Sequence, residues 1–328
     1  MATSLASSLI VLTQRRFSLP LLAAALVLYP AVFRDVFYIT IAVTVGVALL
    51  LTLSMNLVIG YSGQFSLAHS AFFGIGAYVP AILSRDLGLS PWLGLPAGVL
   101  AGAIVATVIG IPVARLRGYY LAVATFAFGF FVEILARQAT ELTGGAYGIQ
   151  GLPIPSLFGF PLQGAAYYPV VVIAVAGTIL MLNSLMRSPL GRAIIATRDH
   201  PGAAGAAGIN PAQMRLLAFV LSAAIAAFAG WLQCFYFRSL NPLMLSPDWN
   251  FVWVFMVFIG GLCNVRGIVA GTLLLTVSPE LLGFATEQTI LATGFLMVLV
   301  ALFAPKGIGG LFDRLAEVAQ AAAKAKKA

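Results

Sequence analysis

The chain alternates long uncharged runs with short polar stretches. Residues 36–84 contain no Lys, Arg, Asp or Glu, more than one crossing of about 20 residues can use. Gly60-Tyr61-Ser62-Gly63 breaks that run and divides it into crossings at 36–59 and 64–84. An earlier apolar stretch, 17–33, follows Arg15-Arg16 and ends at Arg34-Asp35. Further segments follow at 91–113, 119–137, 167–186 and 215–237. Residues 249–283 are too long for one straight crossing and are interrupted by GGLCNVRG, 260–267, so they divide into 249–262 and 268–283. A last segment covers 288–304. The pattern predicts an all-α integral membrane protein of about ten segments, some of them short or broken. Residues 1–16 form an N-terminal segment, 17–304 the membrane domain and 305–328 a basic tail.

The longest polar interruption is Arg187–Arg215. Ser188-Pro189 is a helix start, a hydroxyl cap followed by proline at the first helical position. Leu190, Ala193, Ile194 and Thr197 recur at helical spacing and form one apolar stripe. His200-Pro201-Gly202 ends that short helix, and a run of Ala and Gly follows from Ala203 to Gly208. Asn210-Pro211 begins the next helix by the same device. Small side chains let a second surface approach the backbone, so the stretch reads as a docking loop or as an ordinary connection.

Charge orients the parse. With the N-terminus inside, the cytoplasmic side holds Arg15, Arg16, Arg115, Arg117, Arg187, Arg192, Arg198, Arg215, Arg266, Lys306, Arg314, Lys324, Lys326 and Lys327. The outside holds Arg34, Arg85, Arg137 and Arg238. That asymmetry satisfies the positive-inside rule and puts both termini in the cytoplasm. Trp92, Trp249, Tyr29, Tyr38, Tyr167 and Tyr168 fall near the outer boundary, where amphipathic rings prefer to sit. The net charge of +8 is spread over loops and tail, so it is no sign of a nucleic-acid partner. Cys234 and Cys263 have neither disulfide nor metal spacing. The late position of Arg15-Arg16 and the lack of a small-residue cleavage site argue against a cleaved leader.

No enzyme constellation is present. With 9% charged residues and two histidines, the chain offers no acidic pair and no midplane ion site. Glu133 and Arg137 stand at i, i+4 and can pair. The most polar intramembrane stretch runs from Asn56 to Ser70 and carries Gln64, Ser66 and His69. Irregular backbone at membrane depth lines a path or packs helices together, and both readings stay open here. Gly74 and Gly76 read as close-packing positions. Thr143-Gly144-Gly145, with Gly148 beyond, opens an ordered external loop that is a gate, a docking surface or a plain connection.

Five stretches now combine: GYSGQFSLAHSAFFGIGAY (60–78), RGYYLAVATFAFG (117–129), TGGAYGIQGLP (143–153), SPLGRAIIATRDHPGAAGAAGIN (188–210) and PKGIGGL (305–311). In this order they resemble the permease subunits of branched-chain amino acid ABC importers, of the M-subunit type. The resemblance implies a fold similar to the larger importer class. It implies a homologous second permease, two cytoplasmic ATPases that hold ATP and Mg, and a periplasmic binding protein. No cofactor is expected on this chain, which has no GxxxxGK[ST] phosphate loop. The family pattern makes 187–215 the ATPase-coupling loop, matched at Gly191, Arg192, Ala203, Ala204, Gly208 and Asn210, with Arg198 beside them. Asn56, Gln64, Ser66, His69 and Ser70 are the translocation-path candidates, and Thr143, Gly144, Gly145 and Gly148 the external ones. The chain departs from the pattern at Pro201-Gly202, Tyr119 and Phe130, where family members often carry acids, and at CNVRGIVAG, 263–271. Those departures leave urea, amides or aromatic acids open as substrates. A secondary transporter or channel is the alternative class.

Overall fold

The computed structural model describes residues 35–114, 116, 118–282, 291, 294–295, 298 and 307–310, the last helix at backbone level only from 279 to 282. The expected N-terminal segment, first crossing, most of the last crossing and tail, with Arg115 and Arg117, lie outside the described residues.

Helix α1, Val36–Asn56, is the axis of the molecule. Asp35 caps it, its carboxylate accepting from Phe37 N at 3.1 Å. From Val45 to Gly60 every side of it is buried, as expected of a helix apolar all round. It runs into a wide π turn, Leu57–Tyr61, and the chain is then irregular until α2, His69–Asp86. The expected helical segment 64–84 is therefore corrected: 64–68 is unwound. Gly60 and Gly63 lie just before it, and Gly63 takes φ +68°, a left-handed conformation that breaks the helix there.

Helix α3, Pro91–Val113, shows how sequence sets packing. Gly94, Gly98, Gly102, Ala106 and Gly110 recur every four residues and are all buried. On the opposite face Leu100, Ile104, Val108 and Ile111 are exposed. Small residues at that spacing permit backbone-level helix contact where no hydrophobic effect separates lipid from side chain. A Cβ at Gly98 would lie 2.7 Å from Pro80 of α2, and one at Gly102 would lie 2.8 Å from Ala227.

Helices α4, Tyr119–Gln138, and α5, Tyr168–Arg187, precede the polar interruption. There α6, Pro189–Asp199, and α7, Pro201–Ala206, come before α8, Pro211–Phe237. The small-residue run is thus itself a helix rather than a plain loop. Helix α8 is the second buried axis, and α2 crosses it on glycine: a Cβ at Gly76 would meet Ala227 O at 2.1 Å, one at Gly230 Phe73 O at 2.0 Å.

The long run 249–283 divides as expected, into α9, Asp248–Gly260, and α10, Val265–Leu282. Gly261 at φ +99° and Cys263 at φ +61° make the turn. Helix α9 has 13 residues, about 20 Å, well short of a bilayer core of about 30 Å. Among the described residues five helices are long and apolar enough to cross a membrane: Val36–Tyr61, Pro91–Val113, Tyr119–Gln138, Gly164–Arg187 and Pro211–Phe237. Helices α9 and α10 are shorter apolar elements.

At the other end, β1, Ile149–Gln150, pairs antiparallel with β4, Ser239–Leu240, while β2, Ser156–Leu157, and β3, Phe160–Pro161, form a hairpin. Tyr167 and Tyr168 are buried against the bundle, and the Tyr167 hydroxyl donates to Leu232 O at 2.9 Å.

Candidate functional site

The cap of α6 forms as its sequence dictates: Ser188 Oγ accepts from Gly191 N at 3.2 Å. Gly191, Ile194 and Thr197 face inward, and Leu190 is turned out, so the apolar stripe is rotated from its expected centre. Gly191 is glycine for a local reason, since a Cβ there would lie 2.2 Å from Leu185 O. Arg192 is exposed and donates to Arg187 O at 2.9 Å. On α7, Ala204 is buried, while Ala203, Gly205 and Ala206, with Ala207 just beyond, are exposed. Gly208 ends α7 at φ +82°, with nothing within 4 Å of where its Cβ would be. Its glycine serves the left-handed turn. Asn210 caps α8, its Oδ1 accepting from Ala212 N at 3.0 Å and Gln213 N at 3.3 Å.

The path candidates Asn56, Gln64, Ser66, His69 and Ser70 are all buried within the chain. Gln64 Nε2 donates to Ser62 Oγ at 2.6 Å and to Arg215 O at 3.0 Å, tying the unwound stretch to the base of α8. Leu67 N donates to Thr125 Oγ1 at 2.9 Å. Ser70 meets Asn250, near the start of α9. A Cβ at Gly129, halfway along α4, would lie 3.2 Å from Pro247. Helix α9 therefore starts deep in the bundle, opposite the start of α2. Thr125 and Asn250 complete this polar layer and were not singled out from sequence: Thr125 is a lone polar residue in an apolar run, and Asn250 reads as part of the polar entry Ser246–Asp248 to the next segment. The break also gives Phe65 and Leu67 to an apolar groove of about 460 Å³, shared with Tyr119, Phe126 and Phe251.

Helix α6 and the break touch. Arg198 Nη1 donates to Gly60 O at 2.7 Å and to Cys263 Sγ at 3.1 Å. Its Nε donates to Asp199 Oδ1 at 2.8 Å, and that bond holds the Asp199 carboxyl below the ordinary aspartate range. Asn56 Oδ1 accepts from Cys263 N at 3.0 Å, and the Tyr61 hydroxyl donates to Cys263 O at 3.1 Å. An open cavity of about 710 Å³ lies against this cluster, lined among others by Tyr61, Asn183, Cys263, Asn264 and Arg266. Positions separated by the sequence reading thus converge on one turn.

The external candidates form a fixed loop. Thr143 Oγ1 donates to Ala136 O at 2.6 Å and to Ala139 O at 2.7 Å, and accepts from Gly145 N at 3.3 Å. Gly144 and Gly148 hold φ +77° and +70°, and a Cβ on Gly148 would lie 1.8 Å from Leu240 O. Glu133 and Arg137 pair as expected. Among the described residues no three His, Cys, Asp or Glu side chains are grouped to hold a metal.

The family described as the permease component of the branched-chain amino acid transport system matches residues 37–304. The chain is 33% identical to the high-affinity branched-chain amino acid transport system permease protein LivM of Escherichia coli (strain K12) over 314 residues, 88% of this chain and 74% of that protein. It is 34% identical over 294 residues to LivM of Salmonella typhimurium, covering 82% and 69% of the two chains. It is 26% identical over 284 residues to LivH of Escherichia coli (strain K12), covering 80% and 90%. No solved structure matches the chain.

Proposed function

The chain belongs to the permease component family of branched-chain amino acid transport systems, and on that premise we propose the assembly and mechanism in which it works. It is a multi-pass membrane permease subunit of an ATP-driven importer for branched-chain amino acids. Its likeness to both LivM and LivH supports pairing with a second, homologous permease. Two cytoplasmic ATPases supply ATP and Mg chemistry, and a periplasmic binding protein delivers solute. The bilayer is the bacterial inner membrane, with both termini cytoplasmic.

The observation that carries this reading is the small-residue face of α7 beside a capped, amphipathic α6. A Cβ at Gly202, Gly205 or Gly208 meets nothing within 4 Å. That face is open to a partner and suits the ATPases. Closure of the ATPases around ATP would displace α6 and α7 and shift the bundle between inward- and outward-open states. The deep start of α9 and the unwound stretch before α2 belong to the moving region, beside the apolar groove that suits an aliphatic side chain.

The test is uptake of labelled leucine, isoleucine and valine in cells carrying the whole system, with urea, amides and phenylalanine as competitors. Uptake should require both ATPases. Uptake that persists without them would make the chain a secondary transporter or channel. Strong competition by urea or amides would move the substrate class.

A further inference from the structure

We propose that Arg198 is the positioning residue that transmits movement of the docking helix to the break in α1, a role that rests on the permease reading above. A helix end leaves its last carbonyls without intrahelical partners and carries partial negative charge. Gly60 lies in the last turn of α1's π extension, and its carbonyl receives the Arg198 guanidinium at 2.7 Å. A cation there makes a charge-assisted bond, the stronger class. The same Nη1 reaches Cys263 Sγ, so one nitrogen spans the α1 end and the α9–α10 turn.

Two further observations make the contact a joint rather than a chance pairing. The Nε bond to Asp199 fixes the guanidinium to its own helix. Gly63, at φ +68°, leaves room for the arginine stem: a Cβ there would lie 2.6 Å from Arg198 Cγ. Any shift of α6 therefore pulls on the backbone where α1 unwinds.

Arg198→Gln, Arg198→Lys and Gly63→Ala would be made in the full transporter. Complexes would be purified, reconstituted and assayed for ATP hydrolysis with and without solute-loaded binding protein, and for solute delivered per ATP. Arg198→Gln should assemble at unmodified yield and hydrolyse ATP, but deliver about tenfold less solute per ATP, within the usual range of coupling energies. Arg198→Lys should recover part of the loss, because an ammonium can reach the Gly60 carbonyl but lacks the planar fork. Gly63→Ala should reproduce the deficit with the arginine present.

Unmodified solute per ATP in Arg198→Gln would overturn the proposal. So would a loss of uptake that only follows complex yield, which would make Arg198 a docking contact. If Arg198→Gln does not accumulate, unmodified ratios in both remaining variants overturn it equally. If the unmodified chain fails to copurify with ATPases, or imports without them, the permease reading itself fails.

Discussion

Asn250 holds Ser70 at two atoms: its Oδ1 accepts from Ser70 N at 3.0 Å and its Nδ2 donates to Ser70 Oγ at 2.9 Å. Ser70 N is one of the first donors of α2 and has no carbonyl one turn back to bond. The cap comes from 180 residues away in the chain. A local serine or aspartate cap would have fixed α2 alone, whereas this one also fixes where α9 begins.

Asn250→Ala should cost about 1–3 kcal/mol, because it leaves a buried N–H without a partner. Thermal unfolding of the detergent-solubilised protein checks this. Asn250→Asp retains an acceptor but loses the donor to Ser70 Oγ and Pro247 O and buries a carboxyl, so it should not recover the alanine loss. Equal stability of all three would show the pairing to be incidental.

Gly205→Leu separates docking from folding. The position is helical, exposed and open, so leucine strains nothing in the chain and improves helix propensity. The variant should insert and melt like the unmodified protein, yet copurify poorly with the ATPases. Ala204→Glu and Gly208→Leu are weaker tests. Ala204 is buried within the chain, and Gly208 needs a left-handed backbone.

Ala206→Cys reports orientation. It is exposed on α7, whereas neighbouring Thr197 is 1% exposed and a cysteine there would be silent from either side. A membrane-impermeant maleimide should leave intact spheroplasts unlabelled and react in inverted vesicles. Labelling from outside would reverse the assigned topology.

Gly230→Ala tests the α2–α8 crossing. The added methyl would overlap the Phe73 carbonyl, and overpacking a close contact costs about 1–3 kcal/mol, more where backbone must move. Folded yield after solubilisation should fall sharply. The same change at Gly177, with nothing within 4 Å, should leave yield unaltered.

The helices with a strong local signal were legible in the sequence. Pro91 and Val113 bound α3 as the apolar run does, and Ser188 and Asn210 cap where residue type and a following proline say they should. The division of 249–283 was legible because GGLCN cannot continue a spanning helix. The unwound 64–68 was not, since its own composition suits a helix; the left-handed Gly63 starts the break, and tertiary bonds to Thr125 and Arg215 carry it on. Nor was the meeting of Arg198 with Gly60 and Cys263, because no local pattern marks a contact spanning 138 or 65 residues. The path candidates were found by polarity, which identifies buried hydrogen-bonding groups as readily as a water-lined wall.

The deep start of α9 constrains what surrounds the protein. Pro242–Leu245 and the residues leading to Asp248 are not α-helical, yet Leu245 packs on Gly74 and Pro247 on Gly129, well inside the bundle. Hydrocarbon cannot solvate peptide groups outside regular helix. Leu243 and Trp249, exposed on this side, must therefore be screened from acyl chains by protein or water. The exposed ridge of α3, with Leu100, Ile104 and Val108, carries no such debt and can sit in the lipid annulus. Both surfaces expose large apolar side chains. What distinguishes them is whether the backbone beneath has already met its own hydrogen-bonding needs.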